Sequence, residues 1–303
     1  MSYHIRQASL AVMMVCLTAA GGPVVAAEWI YTVQRGDNPW SLTERYLAGI
    51  KYWPRIQQLN QITDPEHIPP GTRLRIPVAW LRRTDAVATV AAVNGEVRIS
   101  GRGRGRAATS GMQLRAGDVV KTARDSNLTL SLPDGSRVLV HAESELHLDD
   151  LGMFENTDYY DLRMSVKAGR LENLVAPLGG GPGRFEITTP AAVTAVRGTR
   201  YRVSATSTAT RTEVTEGAVG VATDGGTVDV PPGFGSVAER GSPPAPPVAL
   251  LPAPDIAALP ALVERVPLRF TVPALPGATA YRVQIATAAD FASPLFDGRA
   301  ENT

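Results

Sequence analysis

Cysteine is almost missing from this chain, with Cys16 the only one in 303 residues. It sits inside an N-terminal segment that reads as a cleavable leader. Arg6 gives the positive start, Ala8 to Ala20 is an apolar run too short to span a bilayer, and Val25-Ala26-Ala27 fits a small-x-small cleavage site. Loss of residues 1–27 would leave no thiol, which excludes disulfides, thiolate metal sites and cysteine nucleophiles. Histidine is scarce as well: of four in the chain, only His67, His141 and His147 lie beyond the leader. No later stretch has 18 consecutive apolar residues, so no further membrane-spanning helix is expected. Nor does one sign of charge dominate. Lys and Arg number 30 against 29 Asp and Glu, and removal of Arg6 evens the balance. That argues against nucleic acid or an anionic membrane as the main partner. The expected destination is the periplasm or cell envelope.

What is present divides into four parts after the leader. Residues 28–80 hold all four tryptophans and most of the helical pattern. Residues 86–240 are rich in Val, Thr, Gly and Arg. "GSPPAPPVALLPAPDIAALP" is too dense in proline for a helix or central strand, and 241–265 reads as an extended linker. Residues 266–303 return to strand-like alternation.

The first part can be followed residue by residue. Ile30 and Val33 open a short strand, and Gly36-Asp37-Asn38 is turn chemistry. Asn38 before Pro39 marks a helix start, with Asn as N-cap and Pro at the first helical position. Leu42, Tyr46 and Leu47 share a helical face. Trp53, Ile56 and Leu59 mark a second helix, with Pro54 in its first turn and Asn60 at its end. "DPEHIPPGTRLRIP" then enters a second strand, with Leu74 and Ile76 on one side. A βααβ unit of under fifty residues is too small to enclose a cofactor, and none is expected.

"YTVQRGDNPWSL…YWPRIQQLN…IPPGTRLRIP" resembles a LysM module over residues 31–77. The resemblance implies binding of N-acetylglucosamine-containing glycans, chiefly peptidoglycan, in a groove between the loop after strand one and the loop before strand two. Here those loops are Gly36, Asp37, Asn38 and Pro39, then Ile68, Pro69, Pro70 and Gly71. Pro39 departs from the usual aliphatic residue and removes an amide donor. Trp40, Tyr52 and Trp53 raise the possibility of stacking on a sugar, but the spacing of Trp53 with Ile56 favours a core role.

Residues 86–240 repeat one device. "AVNGEVRI", "LRAGDVVKT", "LPDGSRVLV", "AGRL" and "EGAVGV" each place a Gly-containing turn beside apolar alternation, at roughly ten-residue intervals. The collinear series, with "TTPAAVTAVRGTRYRV" and "VTEGAVGV", resembles a FecR domain from 86 to about 222. It implies an exported all-β module that contacts an envelope or membrane protein. The family's relay members also carry a cytoplasmic domain and a transmembrane helix, which this chain lacks, so control of a sigma factor is not carried over. Gly198 is expected to allow a sharp bend, with Arg197 and Arg200 beside it as candidates for partner contact or for holding the scaffold. In "HAESELH" a strand would put His141, Glu143, Glu145 and His147 on one face. Such a strand is too extended for one metal ion to reach all four, so a solvated face is expected and no metal. "GRGRGR", 101–106, reads as a hairpin loop.

"LRFTVPALPGATAYRVQIATAADF" resembles the start of a fibronectin type III-like domain, and the chain is expected to continue past Thr303. LysM modules often tether enzymes, but no G-x-S-x-G or S-x-x-K motif occurs and a β-rich centre does not suit a lytic transglycosylase. No catalytic residue is expected. The expected fold is multidomain: a small βααβ module, then a mainly-β domain (β-solenoid-like or β-sandwich), then a partial β-sandwich. Its expected role is to bind peptidoglycan and present the β domain to envelope partners, or alternatively to act as a periplasmic sensory component.

Overall fold

The computed structural model describes residues 27–301, except 102, 104, 178–182, 197, 258, 261–262, 264–266, 268–269, 290 and 292. Apart from Ala27, the expected leader lies outside the described residues.

The N-terminal unit is built as its sequence suggests. β1 (Glu28–Thr32) pairs antiparallel with β2 (Arg73–Pro77), from Glu28 opposite Pro77 to Thr32 opposite Arg73. Between them lie α1 (Pro39–Tyr46) and α2 (Trp53–Asn60). Asn38 caps α1. Its Oδ1 accepts from the Ser41 N–H at 2.9 Å, while Ser41 Oγ accepts from the Asn38 N–H at 3.0 Å. Asn60 ties α2 to β2 by donating to the Arg75 carbonyl and accepting from its N–H. Tyr31, Leu42, Tyr46, Trp53, Ile56, Leu74 and Ile76 form the core.

Beyond a short 3-10 helix at Val78–Trp80, the regular elements among the described residues are all strands. In order these are β3 (Arg83–Asp85), β4 (Ala88–Asn94), β5 (Val97–Ser100), β6 (Arg106–Ala107), β7 (Gln113–Leu114), β8 (Val119–Thr122), β9 (Asn127–Ser131) and β10 (Arg137–Val140). Then come β11 (Glu145–Phe154), β12 (Tyr159–Leu174), β13 (Arg184–Thr188), β14 (Val193–Val196), β15 (Arg200–Ala205) and β16 (Ala209–Glu216). β17 (Val219–Thr223), β18 (Gly226–Val230), β19 (Phe234–Glu239) and β20 (Val248–Ala249) complete the body. One sheet runs β6-β5-β8-β11-β12-β13-β14-β17-β18, with β3 along the far part of β11. The other runs β7-β4-β9-β10-β12-β15-β16-β19-β20. Both sheets grow largely in chain order, each keeps two edges, and a single apolar core lies between them. The body is a sandwich built by hairpins laid down alternately on its two faces. Among the described residues only β12–β13 is parallel.

β12 belongs to both sheets. It pairs with β11 up to Ala168 and with β15 from Gly169. Gly169 has φ +105, and a Cβ there would fall 2.1 Å from Ser144 Oγ. Only glycine lets the strand cross at this point.

The proline-rich stretch corrects one expectation. Residues 241–265 are not wholly a free linker, because Ala245 N–H donates to Val237, Leu250 N–H donates to Gly233, and β20 pairs with β19. Proline lacks an N–H, so a proline-rich segment can still line a sheet edge where only alternate residues must donate. In the segment expected to start a β-sandwich, β21 (Ala280–Ala286) and β22 (Pro294–Glu301) form one antiparallel pair. No helix among the described residues is long and apolar enough to cross a membrane.

Candidate glycan groove

Two hydrogen bonds bring the candidate loops together. The Val33 N–H donates to the Thr72 carbonyl at 2.9 Å, and the Gly71 N–H donates to the Val33 carbonyl at 2.8 Å. The loop closes on itself through Thr72, whose N–H and Oγ1 both donate to the Pro69 carbonyl. These bonds hold the 68–71 loop against Val33, three residues before the turn at Gly36. Gly36 and Gly71 take φ +91 and +90, values a side chain would strain. Gly36, Asn38, Pro69, Pro70 and Gly71 are exposed, and Asp37, Pro39 and Ile68 are half-buried.

Asp37 faces inward. Its carboxylate accepts from the Tyr31 hydroxyl at 2.5 Å and the Gln34 N–H at 2.7 Å, with the Arg45 guanidinium 3.7 Å away. Burial, and then the bond to Asp37, push the Tyr31 phenol well above its ordinary range, so it remains a donor. Asp37 thus shapes the loop from within. Gly36, Pro69 and Pro70 are exposed to solvent, while Ile68 packs in part against the core. Peptide groups beside a flat apolar floor suit a neutral, hydroxyl- and acetamido-bearing ring better than an ion.

The three aromatic residues raised as stacking candidates separate in the structure. Trp53 is buried as its spacing predicts, and Tyr52 stacks on Trp80 with centroids 5.7 Å apart. Trp40 instead is 72% exposed. The signal was available: two residues on a helix turn about 200°, so Trp40 must point away from the face of Leu42 and Tyr46.

Residues 31–77 match the family model of the LysM domain. Residues 118–220 match that of the FecR protein. The chain carries a LysM domain followed by a FecR domain. Two crystal structures of a candidate anti-sigma factor from Parabacteroides distasonis ATCC 8503, at 2.50 and 1.65 Å resolution, are also similar. Each is 18% identical, with TM-scores of 0.35 and 0.34, over 41% of this chain and 55% of theirs. The chain thus spans about half the length of these solved relatives. No curated protein matches it.

The remaining candidates lie in the FecR body. Gly198 lies in the bend from β14 to β15, where the chain changes sheets, and Arg197 lies outside the described residues. Arg200 Nε is 3.6 Å from Glu216 on the neighbouring strand. "GRGRGR" joins the antiparallel strands β5 and β6, with Arg102 and Arg104 outside the described residues. "HAESELH" is corrected: it is not one solvated strand, because Ala142–Ser144 is a turn with Glu143 at φ +54. His141 is buried, while Glu145 accepts from Lys121 at 2.9 Å and lies 2.7 Å from His147. The turn makes the period-two face fail after one residue.

Proposed function

We propose that the chain is a non-catalytic envelope protein. Its LysM groove holds peptidoglycan, and its FecR body is presented to an envelope or membrane protein. Export through the leader at 1–27 is part of this reading. The observation that supports it is the bonding of Val33 to Gly71 and Thr72, which holds the 68–71 loop at the end of β1 from which the 36–39 loop leaves, in a unit that matches LysM. A second reading, a sensory component acting through the β body, is favoured by the FecR match over 118–220.

The test is co-sedimentation of the full chain with purified peptidoglycan sacculi, without release of muropeptides. Pro69→Glu places a solvated charge on the apolar floor of an exposed loop and should weaken retention about tenfold, equivalent to roughly 1.4 kcal/mol. Retention equal to the parent chain, with the tryptophan fluorescence unchanged, sinks the groove. Muropeptide release sinks the non-catalytic reading. Deleting the LysM module outright is a poorer control, because it strips cover from Phe154 and Tyr159.

A further inference from the structure

The FecR body holds a buried ionic cluster that the glycan groove does not use. Its centre is His141, which follows β10 and is 6% exposed. The His141 backbone is fixed to the body: its N–H donates to Arg170 at 3.0 Å, and its carbonyl accepts from Thr122 Oγ1 at 2.6 Å. The ring faces the C-terminal hairpin. Nδ1 is 2.6 Å from Asp297 Oδ2 on β22, and Nε2 is 3.2 Å from Arg282 Nη2 on β21. Arg282 holds Asp297 with two bonds, of 2.9 and 2.7 Å, and Glu172 of β12 with a third of 2.9 Å. Glu172 lies 3.9 Å from Nε2, and Arg170 is a further cation near the ring.

Donor arithmetic fixes the state of the ring. A guanidinium has donors only, so its contact with Nε2 needs a lone pair there, and the proton sits on Nδ1, donating to Asp297. Neutral His141 satisfies both neighbours. Protonation would place an N–H on Nε2 facing Arg282, two donors and two positive charges in a site largely closed to water. Asp297, which accepts from Nδ1, opposes this in part, while burial, Arg282 and Arg170 act against the charged ring. We propose that His141, Arg282 and Asp297 form an acid-sensitive latch: at neutral pH it docks the β21–β22 hairpin on the outer face of the second sheet, and proton uptake by His141 releases it.

The sign follows from the burial of the ring. Burial lowers the His141 pKa below its ordinary value; the bond to Asp297 opposes this, and Arg282 and Arg170 reinforce it. Once the hairpin is released, His141 returns to about 6.5. Docking is therefore complete above that pH and weakens as pH falls toward the docked value. Asp297 is held well below the usual carboxylate range by Arg282 and His141, against the upward push of burial, and adds a second loss below about 4. A neutral tether stays in place: the Asn94 and Asn127 amides donate to the Pro294 carbonyl at 2.7 and 3.2 Å. Opening therefore starts at the charged end and uncovers Leu139, which lines a small cavity with Phe291.

Hydrogen exchange of the full chain at pH 7.5 and 5.0, corrected for the intrinsic chemical rate, tests this. Amides of 280–286 should exchange faster at pH 5.0, by up to about thirtyfold, the limit set by the roughly 1.5 units between the released pKa of about 6.5 and pH 5.0. Those of β9 and β16 should not change. Equal protection at both pH values, or a loss shared by the whole body, overturns the latch. His141→Gln keeps a donor and an acceptor but cannot ionise, so it should abolish the pH dependence; a dependence that persists overturns the proposal. If that variant does not dock at pH 7.5, the unmodified chain decides. The His141 imidazole titration, followed by NMR, and hairpin opening must then share one midpoint, and separate midpoints overturn it.

Discussion

Trp29 of the LysM module packs edge-on against Tyr159 of the FecR body, with ring centroids 6.3 Å apart and planes at 71°. Phe154 lies on the other side of Tyr159, with centroids 6.5 Å apart, and both belong to the LysM core. Backbone bonds reinforce the join. The Arg82 N–H donates to the Tyr46 carbonyl at 2.7 Å, and Asn156 Nδ2 donates to the Arg45 carbonyl at 2.8 Å. The β11–β12 turn thus completes the core of its neighbour. The module and the body therefore meet as packed surfaces rather than across a flexible tether.

This join gives the first prediction. Phe154→Ala changes a residue of the body but should destabilise the LysM module by about 3 kcal/mol, in the range for a buried phenylalanine. All four tryptophans lie between Trp29 and Trp80, so denaturation followed by tryptophan fluorescence reports the module alone. An unshifted fluorescence midpoint would show that the two cores are independent.

Local chemistry made much of this fold legible. Asn38 and Pro39 announced the start of α1, and Gly-Asp and Asp-Gly turns announced the strands of the body. The alternation of hairpins between two sheets was not legible, because each hairpin reads the same whichever face it joins. Phe154 and Tyr159 carry no local signal of their role, since nothing nearby in sequence reveals that a turn inserts into another core. His141 was misread for a related reason. Its cover comes from Arg282 and Asp297, more than a hundred residues away in sequence, and period-two reasoning sees only neighbours. At the groove, loop positions were readable, but the inward turn of Asp37 depends on Tyr31 and was not.

Gly169→Ala tests how the body is assembled. The added Cβ would lie within 2.5 Å of the Ser144 backbone and side chain, at a φ of +105. Ser144 Oγ also accepts from the Arg170 N–H at 2.9 Å, so it cannot swing aside without losing that bond. The two penalties together should cost roughly 2–4 kcal/mol, read as a lowered midpoint in circular dichroism. An alanine variant as stable as the parent would mean that β12 can cross between the sheets elsewhere.

The proline-rich edge gives the last prediction. Ala245 and Leu250 donate backbone bonds to β19, and Ser236 Oγ donates to the Ala245 carbonyl at 2.7 Å. A protease must draw an extended segment of about ten residues into its cleft, which a segment bonded along a sheet edge resists until it detaches. Arg240 itself donates its N–H to the Thr208 carbonyl at 2.9 Å. Trypsin at low concentration should therefore spare Arg240 and leave a large fragment that retains residues 245–250, ending at one of the next arginines in sequence, Arg265 or Arg269. Val248→Pro removes a donor from the short β20 pairing and should make cleavage after Arg240 faster, without moving the thermal midpoint of the body by more than a degree or two. Mass spectrometry of the first stable fragment reads both outcomes. A parent fragment ending at Arg240 would mean that the proline segment leaves the edge in solution, and that the second sheet ends at β19.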